Sequence, residues 1–343
     1  MRTRLRVLLL GCLSIGALLA AGNALAAFTP SIAIRHDPPT AGSSGATSIR
    51  ILVPRDDDPL FRALIYVPPG YTATTNQPTG TQIGTVTAQV QVREPIAGAV
   101  LPLTGMITTD NPANHTTSPC APGLHAAVWL LTLQASGQTL TVPMYLDPTS
   151  GATAQLASFT LTACLPSPNI PTSAGGATFG AKLINAQLNL QSGVLSAPST
   201  RGTFRWHILA TPWPNAAGPP NIAGTVEAQG RVMLPARVNL RAASRNRRVT
   251  ITGAVLEAAT GAARQTVRIR VGRRTSTVRT NAGGSFRLVV RQRRGARLTI
   301  TATTSVPARM VACSSPSPFP GVSCVGETLQ FFVLTRSVRH RVR

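Results

Sequence analysis

The chain has 343 residues, 43% of them hydrophobic and 13% charged, with 29 Gly, 28 Pro and a formal net charge of +23. It is too apolar to stay disordered and too rich in Gly and Pro to form a long helical bundle. Lys182 is the single lysine, so the cations are almost all arginine.

The N-terminus reads as an export signal. Arg2, Arg4 and Arg6 form a positive start, residues 7–22 an apolar stretch, and Ala24-Leu25-Ala26 a small-residue cleavage site. This predicts a signal peptide over residues 1–26, cleaved after Ala26, and a mature chain that is secreted or envelope-associated. An uncleaved anchor is the other reading, but the run is short for a span of ~20 residues. Leu9-Leu10-Gly11-Cys12 has the outline of a lipoprotein box, with too few apolar residues between it and Arg6. No later stretch is apolar over about 18 residues, so no further transmembrane segment is expected.

Residues 27–235 read as a β-rich N-terminal domain. Val86, Ala88, Val90 and Val92 alternate with Thr87, Gln89 and Gln91; Ile184, Ala186, Leu188 and Leu190 alternate with Asn185, Gln187 and Asn189. Period two puts one face of each strand on a core. The runs 125–134 and 139–146 flank a turn at 135–138, which predicts a hairpin. Stretches 37–45, 68–80, 112–123, 166–176 and 212–220 combine Pro, Gly, Asn and Ser and read as loops. Short strands at regular spacing predict an all-β chain: a sandwich-like N-terminal domain followed by a smaller sandwich.

Four cysteines follow the signal: Cys120, Cys164, Cys313 and Cys324. An even count in an exported chain predicts two disulfides. Three connectivities are open, and the local pairs Cys120–Cys164 and Cys313–Cys324 are favoured. Loop entropy gives roughly 4 and roughly 3 kcal/mol for them if unstrained. No C-x-x-C or nearby His pair supports zinc, so no metal and no cofactor are expected.

Catalytic sequence patterns are mostly lacking. G-x-S-x-G, H-E-x-x-H and a Gly-Lys-Ser/Thr phosphate loop are all lacking. Asp56-Asp57-Asp58 reads as a solvated turn more than a calcium loop. Asp110 and Asp147 form a carboxylate pair only if the fold joins them, and His36 and His125 are isolated candidates. Phe204, Trp206 and Ile208 alternate with Arg205 and His207, which puts Trp206 in a core. Trp213, before Pro214, is the better candidate for stacking a sugar.

Residues 236–337 read as an Arg-rich sandwich, and 338–343 as a basic tail. Val249, Ile251 and Val255 face in, as do Val267, Ile269 and Val271, and Phe286, Leu288 and Val290; Leu298, Ile300 and Ala302 repeat the pattern. Ile251-Thr252-Gly253, and then Thr280-Asn281-Ala282-Gly283-Gly284-Ser285-Phe286-Arg287-Leu288, carry a resemblance. Residues 249–303 resemble the carboxypeptidase-regulatory-like, transthyretin-like family of Ig-like repeats, whose hairpin reads T-D-A-x-G-x-F-x-L. Asn281 stands where that family often has Asp. The resemblance implies a sandwich that serves as a non-catalytic accessory or structural module, and it transfers no active site.

Charge is lopsided. Residues 27–200 carry six basic and seven acidic groups, residues 201–343 carry 24 arginines and three acids. Arg245, Arg247 and Arg248 form one cluster, Arg273 and Arg274 a second, and Arg291, Arg293, Arg294 and Arg297 a third. If they share one face they would draw polyanions; outward arginines also guard sheet edges and keep a sandwich soluble. Phe286 is the one aromatic between residues 214 and 318, and nucleic-acid binders interleave aromatics, so nucleic acid is the less favoured partner. The expectation is an exported, non-catalytic structural or adhesive protein whose Arg-rich part contacts anionic envelope polymers. A secreted hydrolase with its site in 27–235 and a glycan-binding module are the alternatives.

Overall fold

In a computed structural model of the chain, the described residues are 28–135, 137–257, 260–310, 322 and 330–343. The expected signal (1–26) and the Cys313–Cys324 pair lie outside them. The described chain is all-β, with short 3-10 turns, and no helix in it is long and apolar enough to cross a membrane.

Twelve strands lead to residue 212. They are β1 (Ser31–Asp37), β2 (Ala46–Leu52), β3 (Leu60–Val67), β4 (Thr72–Ala73), β5 (Gln82–Gln91) and β6 (Val100–Asp110). Then come β7 (Ala127–Ala135), β8 (Gln138–Pro148), β9 (Phe159–Cys164), β10 (Lys182–Leu190), β11 (Leu195–Ser196) and β12 (Gly202–Pro212). The expected hairpin is β7–β8, paired Leu133↔Leu140 and Ala135↔Gln138. With β13 (Val226–Leu234), eleven of these strands order as β1-β2-β10-β5-β6-β7-β8-β9-β3-β12-β13.

This sheet curls nearly shut. β13 returns beside β1, where Gly230 is so close that a Cβ on it would lie 2.3 Å from Ile34 Cδ1. A side chain at this position would have to displace the end of Ile34. The interior is filled by alternate residues: Val86, Ala88 and Val90 of β5 are buried, whereas Thr85, Thr87 and Gln89 are exposed. Trp129, Trp206, Ile49, Ile65 and Leu161 are among the fully buried side chains of this core. The expected core position of Trp206 is therefore observed.

The remaining strands are β14 (Arg237–Arg245), β15 (Arg248–Glu257), β16 (Thr260–Gly261), β17 (Thr266–Val271), β18 (Arg274–Arg279), β19 (Ser285–Arg291), β20 (Arg297–Met310) and β21 (Gln330–Arg341). One sheet is β14-β15-β19, with β16 on the end of β15; the other is β21-β20-β17-β18. They sandwich a second core of Val249, Ile251, Val267, Ile269, Phe286 and Ile300, the inward set read from the sequence. The two parts touch where β12 pairs in parallel with β20, Gly202 opposite Arg309.

Two readings are corrected. Residues 338–341 belong to strand β21, with Val338 opposite Ile300, and are not a tail. The Asn281–Gly284 turn is not a hairpin, since β18 pairs with β17 and β19 with β15. It carries the chain from one sheet to the other. Asn281 Oδ1 accepts from the Ser285 N–H at 2.9 Å, and Gly284 takes φ 73°, where glycine is favoured.

Candidate polyanion-binding face

At one end of the sandwich three chain turns converge. The β14–β15 turn is Asn246-Arg247, both with positive φ (49° and 63°), the two-residue form that matches strand twist. Asparagine suits the first position, and Arg247 holds the left-handed conformation unusual for its type. The β17–β18 turn is Gly272-Arg273, with Gly272 at φ 59°. The third segment leaves β19 at Arg291, and the Gln292 N–H donates to the Arg247 carbonyl at 2.9 Å. That bond ties the third segment to the first hairpin tip.

Between them lies an open concavity of about 1490 Å³. Arg245, Arg247, Arg248, Arg273, Arg274, Arg291, Arg293 and Arg294 line it. Eight of the nine arginines singled out in the sequence thus share one hollow, and all eight are exposed. Arg297 does not line it; it starts β20, opposite Arg341. Ser244, Asn246 and Gln292 also line it and supply neutral hydrogen-bonding groups. Their positions inside arginine clusters were the signal that could have marked them.

Charge is concentrated here without compensation. Among the described residues, none of these guanidinium groups meets a carboxylate. From Arg237 onward the sequence has two acids, Glu257 and Glu327. Arg245, Arg248 and Arg291 form a row across three adjacent strands, about 5 Å apart strand to strand. Four residues further along lies a second row, Arg241, Thr252 and Arg287, roughly 13 Å away at ~3.3 Å per residue. This row lines a second hollow of about 890 Å³ with Arg279 and Arg336. The second row was missed in the sequence, although period two on β14, β15 and β19 puts it on the same outward face. Planar guanidinium forks on such a surface can grip phosphate or carboxylate bidentately.

The other candidates have structural work. His125 donates from Nδ1 to Asp147 at 2.9 Å, and its Nε2 faces the Ala121 carbonyl at 3.0 Å. Both ring nitrogens meet acceptors, so the ring is not placed as a general base. His115 bonds Asp110 at 2.7 Å, which holds the Asp110 carboxyl below its ordinary range. Asp110 and Asp147 each hold their own histidine beside Tyr145, whose ring lies 4.3 Å from that of His125. His36 is buried between Thr47 Oγ1 (2.9 Å) and the Ser43 carbonyl (3.0 Å). Burial lowers its pKa.

Trp213 is half-buried. Its indole N–H donates to the Leu165 carbonyl at 3.0 Å, and its ring packs edge-on against Phe61 at 4.7 Å. It is not an open sugar platform. Asp57 and Asp58 are buried, which corrects the solvated-turn reading. The Asp57 carboxylate accepts from the Thr29 N–H and Oγ1, so it anchors the start of the ring. Among the described residues no group of three or more His, Cys, Asp or Glu side chains is placed to hold a metal ion. Cys120 and Cys164 are joined, with Cα atoms 6.3 Å apart.

No protein-family model matches the chain, and the search of curated proteins finds no match. Among solved structures, the chain is similar to a putative membrane anchored protein from Corynebacterium diphtheriae, at 12% identity and a TM-score of 0.21. The alignment covers 81% of this chain and 49% of that one, so the chain spans about half its length. It is also similar to a Ca2+-stabilized adhesin of an Antarctic bacterium that binds ice, at 10% identity and a TM-score of 0.19, covering 93% of this chain and 75% of that one. A structure from a 1.5-MDa bacterial ice-binding adhesin gives 10% identity and a TM-score of 0.19, covering 93% and 98%.

Proposed function

We propose that this is an exported, non-catalytic structural or adhesive protein that holds anionic polymers of the cell envelope on its arginine face. The observation that carries the reading is the convergence of eight exposed arginines, from three separate turns, on one hollow without a carboxylate. Solubility alone asks for dispersed outward charge. It does not ask for like charges side by side, which repel. An open hollow of this size suits a chain lying across it more than a small ion. The signal pattern read in residues 1–26 and the Cys120–Cys164 bridge suit an oxidising, extracytoplasmic location. We also read residues 236–337 as an accessory module, in keeping with the resemblance of 249–303.

The test is binding of the protein to anionic wall polymer, anionic vesicles and duplex DNA over a salt series. The reading expects wall polymer to bind best at about 0.15 M salt, where charges more than ~8 Å apart are screened. Preference for DNA, or no retained binding at that salt, would overturn it.

A further inference from the structure

The interior of the ring formed by β1 to β13 holds a partly open, mostly apolar cavity of about 100 Å³. Its origin is visible in the pairing. Ala88 of β5 stands opposite Ala186 of β10, and Ala63 of β3 stands opposite Ala163 of β9. All four line the cavity. The two pairs lie five strands apart in an order of eleven, so small side chains line the cavity from two separate parts of the ring. Elsewhere leucine and valine fill that space; here four methyl groups leave it open.

One end carries a polar clasp. Lys182 donates from Nζ to the Arg55 carbonyl at 2.6 Å and to the Asp57 carbonyl. This ties the turn after β2 to Lys182, which lines the cavity with Pro59, Thr178 and Pro166. Asp56, Asp57 and Asp58 surround the ammonium, with Arg93 as the second cation. Lys182 is the one charged residue that lines the cavity, and two carbonyl oxygens already occupy its ammonium, so an anionic head group would have to displace them. The rest of the wall is aliphatic and offers no partner to a charge.

We propose that this cavity is a binding site for a compact uncharged hydrocarbon group no larger than benzene. An engineered apolar cavity of about 150 Å³ stays dry and takes benzene or xenon. The same physics applies here, because all but one end of the wall is aliphatic, and such a wall holds water poorly and gains contacts from an apolar guest. The site is independent of the arginine face, which lies on the other core.

The experiment titrates the full protein with benzene, read by calorimetry and thermal shift, with xenon as a smaller probe and benzoate as the charged control. The expected result is saturable one-site benzene binding, with Tm rising as benzene increases, and no binding of benzoate. Ala88→Leu fills the space and weakens benzene at least about 10-fold. Ala63→Val fills it from the opposite wall and decides the matter if the first variant does not fold. The proposal is overturned if neither benzene nor xenon binds saturably. It is equally overturned if benzoate binds as well as benzene, or if the folded variants bind benzene like the parent.

Discussion

Arg248 of β15 and Arg291 of β19 are direct cross-strand partners, and both side chains point to the same outer face. Like charges placed so cost the sheet stability. The pair has a further arginine, Arg245, on its other side. The fold therefore concentrates repulsion at one end of the sandwich.

Relieving that repulsion should separate stability from binding. Arg248→Ser is expected to stabilise the protein by about 0.2–1 kcal/mol at low salt, with the gain fading as salt screens the neighbours. The same variant should bind polyanions more weakly. Thermal melts and binding isotherms at two salt concentrations check both. A variant that loses stability and keeps full affinity would contradict the prediction.

Acid should weaken the fold through His36. Burial lowers its folded pKa below the ordinary 6.5, so the unfolded state takes up the proton first. Its contribution is fully present above 6.5 and falls as pH drops from there towards the folded pKa. Tm is expected to fall between about pH 7 and pH 5. His36→Gln should start lower and show a shallower decline over that window, since the titrating group is gone while the hydrogen bonds to Thr47 and Ser43 are only partly replaced.

The Cys120–Cys164 bridge closes a loop with a sequence separation of 44. Its loss should cost about 4 kcal/mol by loop entropy. Cys164→Ser, compared with the parent by denaturant melts with and without reductant, tests this. An equal midpoint for all samples would show that the bridge carries no constraint.

Gly230 lies at the seam of the ring, across from Trp206 on β12 and against Ile34 and the Ile32 carbonyl of β1. Gly230→Val should force β1 and β13 apart and cost about 1–3 kcal/mol as an overpacked contact. Gly230→Ala should cost less, because the end of the Ile34 side chain can turn aside. Near-UV circular dichroism of the buried tryptophans, read with the melts, would reveal a seam that had opened.

Strand faces were legible wherever one side of a strand is buried. Val86 to Val92 and Val249 to Ala302 show their inward residues by alternation alone, and Trp206 shows its burial through Phe204 and Ile208. The ring order was not legible, because β10 inserts between β2 and β5 by pairing Ala186 with Ile51 and Ala88. No local pattern encodes a partner that far away. The same limit applies to the arginines. Their three clusters are visible along the chain, but Arg248 and Arg273 come from different sheets, and only the sandwich brings both to one hollow. The burial of Asp57 was hidden for another reason: its partner is Thr29, 28 residues earlier.

The most direct measurement compares two triple variants of equal charge by polyanion binding over a salt series. One replaces Arg248, Arg273 and Arg293 with serine in the hollow. The other replaces Arg268, Arg270 and Arg339, exposed positions on the second sheet. If the hollow is the binding site, the first variant loses most of the affinity. Its salt slope should also become shallower by about one for each removed contact, while the second variant stays close to the parent. Equal losses in both would mean that the protein attracts polyanions by net charge alone, and would contradict a built site.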